Sequence, residues 1–107
     1  MSRARLTDRA NAQLEAIYEY TSDRWGEEQA ERYTRDIIQL CGDIADGRVI
    51  SRPIEPELGV SGNVARKGSH FIYWRRRDDG DVDIVAILHQ RMMQALRLRD
   101  PPSPDVY

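Results

Sequence analysis

Apolar positions first recur at helical spacing just after Thr7-Asp8, where the Thr hydroxyl suits a helix cap and Asp8 the positive end of the helix dipole. Leu14, Ile17, Tyr18, Thr21 and Trp25 form one stripe, with Arg9, Gln13, Glu15, Glu19 and Asp23 on the remaining faces. This predicts an amphipathic helix over 8–25, ended by Gly26. Ala30, Tyr33, Ile37, Leu40, Cys41 and Ile44 repeat the period up to Gly47, a position suited to a left-handed C-cap. Two helices with almost no loop between them make a helical hairpin.

The pattern then changes. Pro53, Pro56, Gly59 and Gly62 mark a connector over 48–62. Asn63–Lys67 reads as a short strand, and Ser69–Arg76 as the strongest one, alternating His70, Ile72 and Trp74 against Phe71, Tyr73 and Arg75. After the turn signal Asp78-Asp79-Gly80, the segment Asp81–Leu88 sets Val82, Ile84, Ala86 and Leu88 on one face and Asp83, Val85 and Ile87 on the other, completing a hairpin. Ser2–Leu6 reads as an N-terminal strand that must insert beside the others. The tail, with Pro101, Pro102 and Pro104, is expected to be flexible from about residue 97. The order predicts an α+β fold: an N-terminal strand, a helical hairpin, then a three-stranded antiparallel segment, all in one mainly antiparallel sheet with the hairpin on one face. With no repeat or linker, residues 1–107 are expected to form one domain.

Composition narrows the class. At 40% hydrophobic and 32% charged residues the chain is of the soluble globular type. A domain of this size buries only roughly 60–70% of its unfolded surface, so its core is modest. No apolar run approaches the roughly 20 residues that span a bilayer, and Met1-Ser2-Arg3-Ala4-Arg5 leads into no signal-like stretch; a cytoplasmic protein without a membrane role is expected. Lone Cys41 has no internal disulfide partner, and with His70 and His89 it makes no recognisable metal-ligand spacing, so no metal or other cofactor is expected. The net charge of −2 conceals an asymmetry: residues 1–47 carry 6 Arg against 10 acids, and residues 48–99 carry 10 Arg or Lys against 6 acids.

Several strings taken together resemble the ParE branch of the RelE/ParE toxin superfamily. They are Leu14-Glu15-Ala16-Ile17-Tyr18-Glu19-Tyr20, Arg24-Trp25-Gly26, Gln29-Ala30-Glu31-Arg32-Tyr33, Phe71-Ile72-Tyr73-Trp74-Arg75 and, most specifically, Ile87-Leu88-His89-Gln90-Arg91-Met92. The resemblance spans roughly residues 3–96. It implies the toxin of a type II toxin–antitoxin pair, a non-catalytic poison of DNA gyrase, neutralised by a ParD-like antitoxin that touches operator DNA on the complex's behalf. No Gly-rich phosphate loop or nucleophile triad is visible in the chain.

The similar RelE branch supplies the principal alternative, a ribosome-dependent mRNA endonuclease. Arg66, Lys67, Arg75, His89 and Arg91 would serve it if they converged on one sheet face as phosphate clamps and a general acid. The acidic net charge argues against a polyanion-binding enzyme. A second alternative is a non-toxic relic that acts only as co-repressor. The candidates for target binding are Arg66, Lys67, Arg75, His89, Gln90 and Arg91. Those for antitoxin binding are Ala12 and Ala16, a shallow small-residue face on the first helix, and Ile38 and Leu40, off the main stripe of the second. Simpler roles compete: His89 organising the Gln90-Arg91 turn, Trp25 and Tyr33 packing the hairpin, and Arg75-Arg76-Arg77 pairing with Asp78, Asp79, Asp81 and Asp83 at a solvated tip.

Overall fold

The computed structural model describes residues 2–49, 52–53 and 62–91. The chain runs β1 (Ala4–Leu6), α1 (Asp8–Trp25), α2 (Glu27–Ala45), β2 (Arg52–Pro53), β3 (Asn63–Lys67), β4 (His70–Arg76) and β5 (Val82–His89). The strands form one sheet of order β1-β5-β4-β3-β2. Among the described strands the β1–β5 pairing is parallel and the others are antiparallel. The N-terminal strand thus inserts beside the last strand, and the expected α+β architecture stands. The predicted connector contains the two-residue strand β2, whose Pro53 is tolerated because the strand lies at the sheet edge. The expected flexible tail from residue 97 lies outside the described residues, as does Met92. No helix among the described residues is long and apolar enough to cross a membrane.

Local chemistry sets the helix ends. Thr7 caps α1, its hydroxyl accepting from the Ala10 N–H at 3.1 Å. At the end of α2, Arg48 N–H donates to the Asp43 carbonyl and Gly47 N–H to that of Ile44, with Gly47 at φ +74°. This pair of bonds is a Schellman closure, which requires the left-handed residue that glycine supplies. Arg76 completes the end, donating to the Ile44 and Ala45 carbonyls at 3.3 and 3.5 Å while stacking over Trp74. It therefore caps the negative end of α2 while also donating to the Gly80 carbonyl of the hairpin turn at 2.7 Å, and so does more than pair with the acids of the tip. Arg77 does behave as expected there, reaching Asp79 and Asp83 at 3.6 and 3.8 Å.

The main core lies between the helices and one sheet face, built from Ile17, Ile37, Cys41, Ile44, Ile72, Val82, Ile84 and Ile87 with smaller neighbours. Val64, Tyr73, Ala86 and Leu88, joined by Phe71, form a second cluster on the other face. This corrects the expected alternation of the last strand. Tyr73 pairs with Ala86 but Trp74 with Ile84, so Val85 is an extra residue in β5, and the bulge reverses the strand's parity. Ile87 consequently joins Val82 and Ile84 under the helices, while Ala86 and Leu88 turn to the opposite side. The bulge is held from α1: Thr7 Oγ1 donates to the Val85 carbonyl at 3.1 Å, and Gln13 Oε1 accepts from the Ile87 N–H at 2.7 Å. Gln13, assigned by its polarity to a solvent face, is only 6% exposed for this reason.

Two other packing expectations change. Trp25, expected to pack the hairpin, is 69% exposed, since it is the last residue of α1. Leu40, placed off the stripe of α2, is half-buried and packs on the main core.

Candidate functional site

The strand register sorts the cationic candidates. Successive residues of a strand point to opposite faces. Ala65 packs on the helix side and Val64 on the other, so Arg66 and Lys67 also part. Arg66 lies over Phe71, with its Nε donating to the Gly68 carbonyl at 2.8 Å. Lys67 turns toward α2 and meets Asp36 at 3.9 Å. Arg75 is exposed opposite Asp83, five residues and roughly 17 Å along β4 from the end that holds His70. The convergence of Arg66, Lys67, Arg75, His89 and Arg91 on one sheet face is thus not found. Lys67, His89 and Arg91 share the end where β3, β4 and β5 meet.

That end is organised by two residues that sequence reading did not select for the site, Tyr33 and His70. His70 stands directly opposite His89 in the β4–β5 register, and their rings meet edge-on with centroids 5.3 Å apart. From α2, Tyr33 Oη reaches His70 Nδ1 at 2.6 Å and the Lys67 carbonyl at 3.1 Å. The approach depends on Gly68, which has φ +58° and where a Cβ would lie 2.9 Å from the Tyr33 oxygen. Tyr33 is half-buried, so its expected packing role holds and is joined by a polar one. His89 accepts the Arg91 N–H at Nδ1 at 3.1 Å, and Gln90 N–H donates to the Ser69 carbonyl at 2.8 Å. The turn-organising role of His89 is therefore real, and it leaves the Gln90 and Arg91 side chains exposed.

The electrostatics of this end shift both imidazoles toward their neutral forms. Burial, reinforced by the charge of His89, pushes His70 down to about 4. Burial first, and then Arg91, lowers His89. Burial raises the Tyr33 phenol, against a smaller opposing effect from the Ser69 backbone.

The antitoxin candidates lie elsewhere. Ile38, 53% exposed, opens onto a groove of about 950 Å³ between α2 and β1, lined also by Leu6, Cys41, Gly42, Ala45, Arg3 and Arg48. The groove follows the sheet edge formed by β1, which among the described residues pairs with β5 alone. Cys41 in its wall is buried, and its thiol is pushed up to about 11 by that burial. Ala12 is exposed and Ala16 half-buried on α1.

Comparison with known proteins identifies the family. Residues 4–94 match the model of the family described as ParE toxin of type II toxin–antitoxin system, parDE. Toxin ParE1 of Mycobacterium tuberculosis is 37% identical over 91 residues, covering 85% of this chain and 92% of the relative. Toxin ParE of Escherichia coli is 34% identical over 95 residues, covering 89% and 91% respectively. A solved structure from the chromosomal ParDE system of P. aeruginosa superposes with a TM-score of 0.67 at 21% identity, covering 83% of this chain and 96% of that one.

Proposed function

The chain belongs to the ParE toxin family of type II toxin–antitoxin systems, and from that premise we propose that it inhibits growth by poisoning DNA gyrase in the cytoplasm and is silenced by a ParD-like antitoxin. The carrying observation is the family match over residues 4–94. The inhibitor works by binding protein and has no catalysis of its own. A ribonuclease needs phosphate clamps and a general acid converging on one scissile bond. Here Arg66 and Lys67 point to opposite faces, and Arg75 sits at the far end of β4 from His89.

In this reading Arg91 and Gln90, with His89 beside them and Lys67 at the same end of the sheet, face the gyrase–DNA complex, a polyanion-rich target that cationic side chains approach readily, whereas Arg66 on the other face and Arg75 at the far end of β4 lie outside that surface. The antitoxin holds the helical hairpin through Ile38 and its groove, with Ala12, Ala16 and the margin of Leu40. An antitoxin that folds as it binds needs such apolar anchors to offset its ordering entropy. Operator DNA is reached only through the antitoxin.

Inducing the isolated gene tests the target. Gyrase poisoning gives an SOS response with cleaved chromosomal DNA. Arrest of translation with cut mRNA would transfer the chain to ribonuclease chemistry, and unimpaired growth would make it a co-repressor relic.

A further inference from the structure

His70 and His89 become neighbours only through the β4–β5 register, so the linear spacing that argues against a metal says nothing about them. Hydrogen bonding determines which nitrogen each ring presents. Tyr33 Oη touches both His70 Nδ1 and the Lys67 carbonyl. A carbonyl can only accept, so the phenol proton goes to Lys67 and His70 donates its Nδ1–H to the phenol oxygen, which satisfies both contacts. The lone pair of His70 is then on Nε2, an atom that is buried without a hydrogen-bond partner among the described residues, in a residue only 6% exposed. On His89, Nδ1 is taken by the Arg91 N–H, so Nε2 is again the nitrogen left over.

We propose that His70 and His89 together bind one divalent transition-metal ion of the Zn(II), Ni(II) or Cu(II) class through their two Nε2 atoms. Imidazole nitrogen suits these ions. Two rings bound at tetrahedral angles to one shared ion have centroids about 5 Å apart at the usual nitrogen–metal length; the observed separation is 5.3 Å. Tyr33 is the outer partner that fixes the His70 tautomer, the arrangement that metal-bound histidines generally show. Among the described residues no group of three or more His, Cys, Asp and Glu side chains assembles. Water therefore completes the coordination on the more open His89 side. Lys67 is offset by Asp36 at 3.9 Å, while the nearby charge of Arg91 opposes binding.

Binding has a structural consequence. Coordination through His89 Nε2 moves that ring's proton to Nδ1, which then no longer accepts from Arg91 N–H. The metal and the hydrogen bond that positions Arg91 are mutually exclusive.

Calorimetric titration of zinc chloride into the untagged, chelator-treated full chain at neutral pH tests this. One ion per chain is expected, with a displaced Arg91 amide resonance. His89→Gln, at a half-buried position that leaves the core intact, should weaken binding at least about tenfold, and Tyr33→Phe should weaken it about tenfold at unchanged stoichiometry. No binding by the wild-type chain, or equal binding by His89→Gln, would overturn the proposal.

Discussion

At the scale of single residues, His70 ties stability to pH. Its neutral form is favoured by burial and then by the charge of His89, which lower its pKa to about 4 from an ordinary 6.5. A depressed value means that the unfolded chain takes up the proton first as pH falls. The stabilisation is complete above about pH 6.5 and is lost progressively toward pH 4, by about 3 kcal/mol in all. Urea unfolding measured along this interval should show the loss, and His70→Gln should show a correspondingly flatter dependence. An unchanged slope in the variant would mean that other groups carry the acid sensitivity. The same residue shows where sequence reading stopped. His89 and Lys67 drew notice by residue type and position in the chain, whereas Tyr33 and His70 acquire their roles only when α2 lies across the end of β4, a contact 37 residues apart in the chain.

At the scale of elements, Thr7 joins two structures. Its hydroxyl accepts from Ala10 N–H at the start of α1 and donates to the Val85 carbonyl in the bulge of β5. Thr7→Ala removes both bonds and should cost about 2 kcal/mol. Thr7→Ser keeps the hydroxyl and should recover most of it. The check is a shift of the urea midpoint at unchanged m value. The elements themselves were legible because their signals are local: a cap at Thr7, helical periods bounded by Gly26 and Gly47, and a turn at Asp78-Asp79-Gly80. The facing of β5 was not, because one inserted residue inverts its alternation, and the side chains that stabilise the insertion are 74 and 78 residues away. Gln13 looked exposed because it is polar, yet a buried backbone N–H needs such an acceptor. Trp25 looked buried because it continues a stripe, but the stripe reaches the last residue of α1.

At the scale of the whole molecule, the proposed functions occupy different regions. The groove beside Ile38 lies between α2 and β1, which pairs with the start of β5 at Val82–Ile84, while Arg91 follows the other end of β5 after His89. Arg91→Ala should therefore weaken growth inhibition while leaving antitoxin affinity within about threefold, and Ile38→Asp should do the reverse, lowering antitoxin affinity at least tenfold by burying a charge in an apolar contact. Growth on induction and calorimetry with the antitoxin, on variants whose circular dichroism is native, measure both. Equal losses in both assays would place the two functions on one surface. The parallel pairing of β1 with β5 also imposes an order in time. Bonds such as Arg3 N–H to Asp81 join residues 78 positions apart, and a bacterial ribosome needs roughly 4–16 s to make that length. Until β5 emerges, the first strand has no partner in the sheet, the bulge has not formed, and the edge from which Arg91 projects does not exist. In the proposed reading the Arg91 surface is therefore absent until β5 has been made, and a neutralising partner has that interval in which to accumulate.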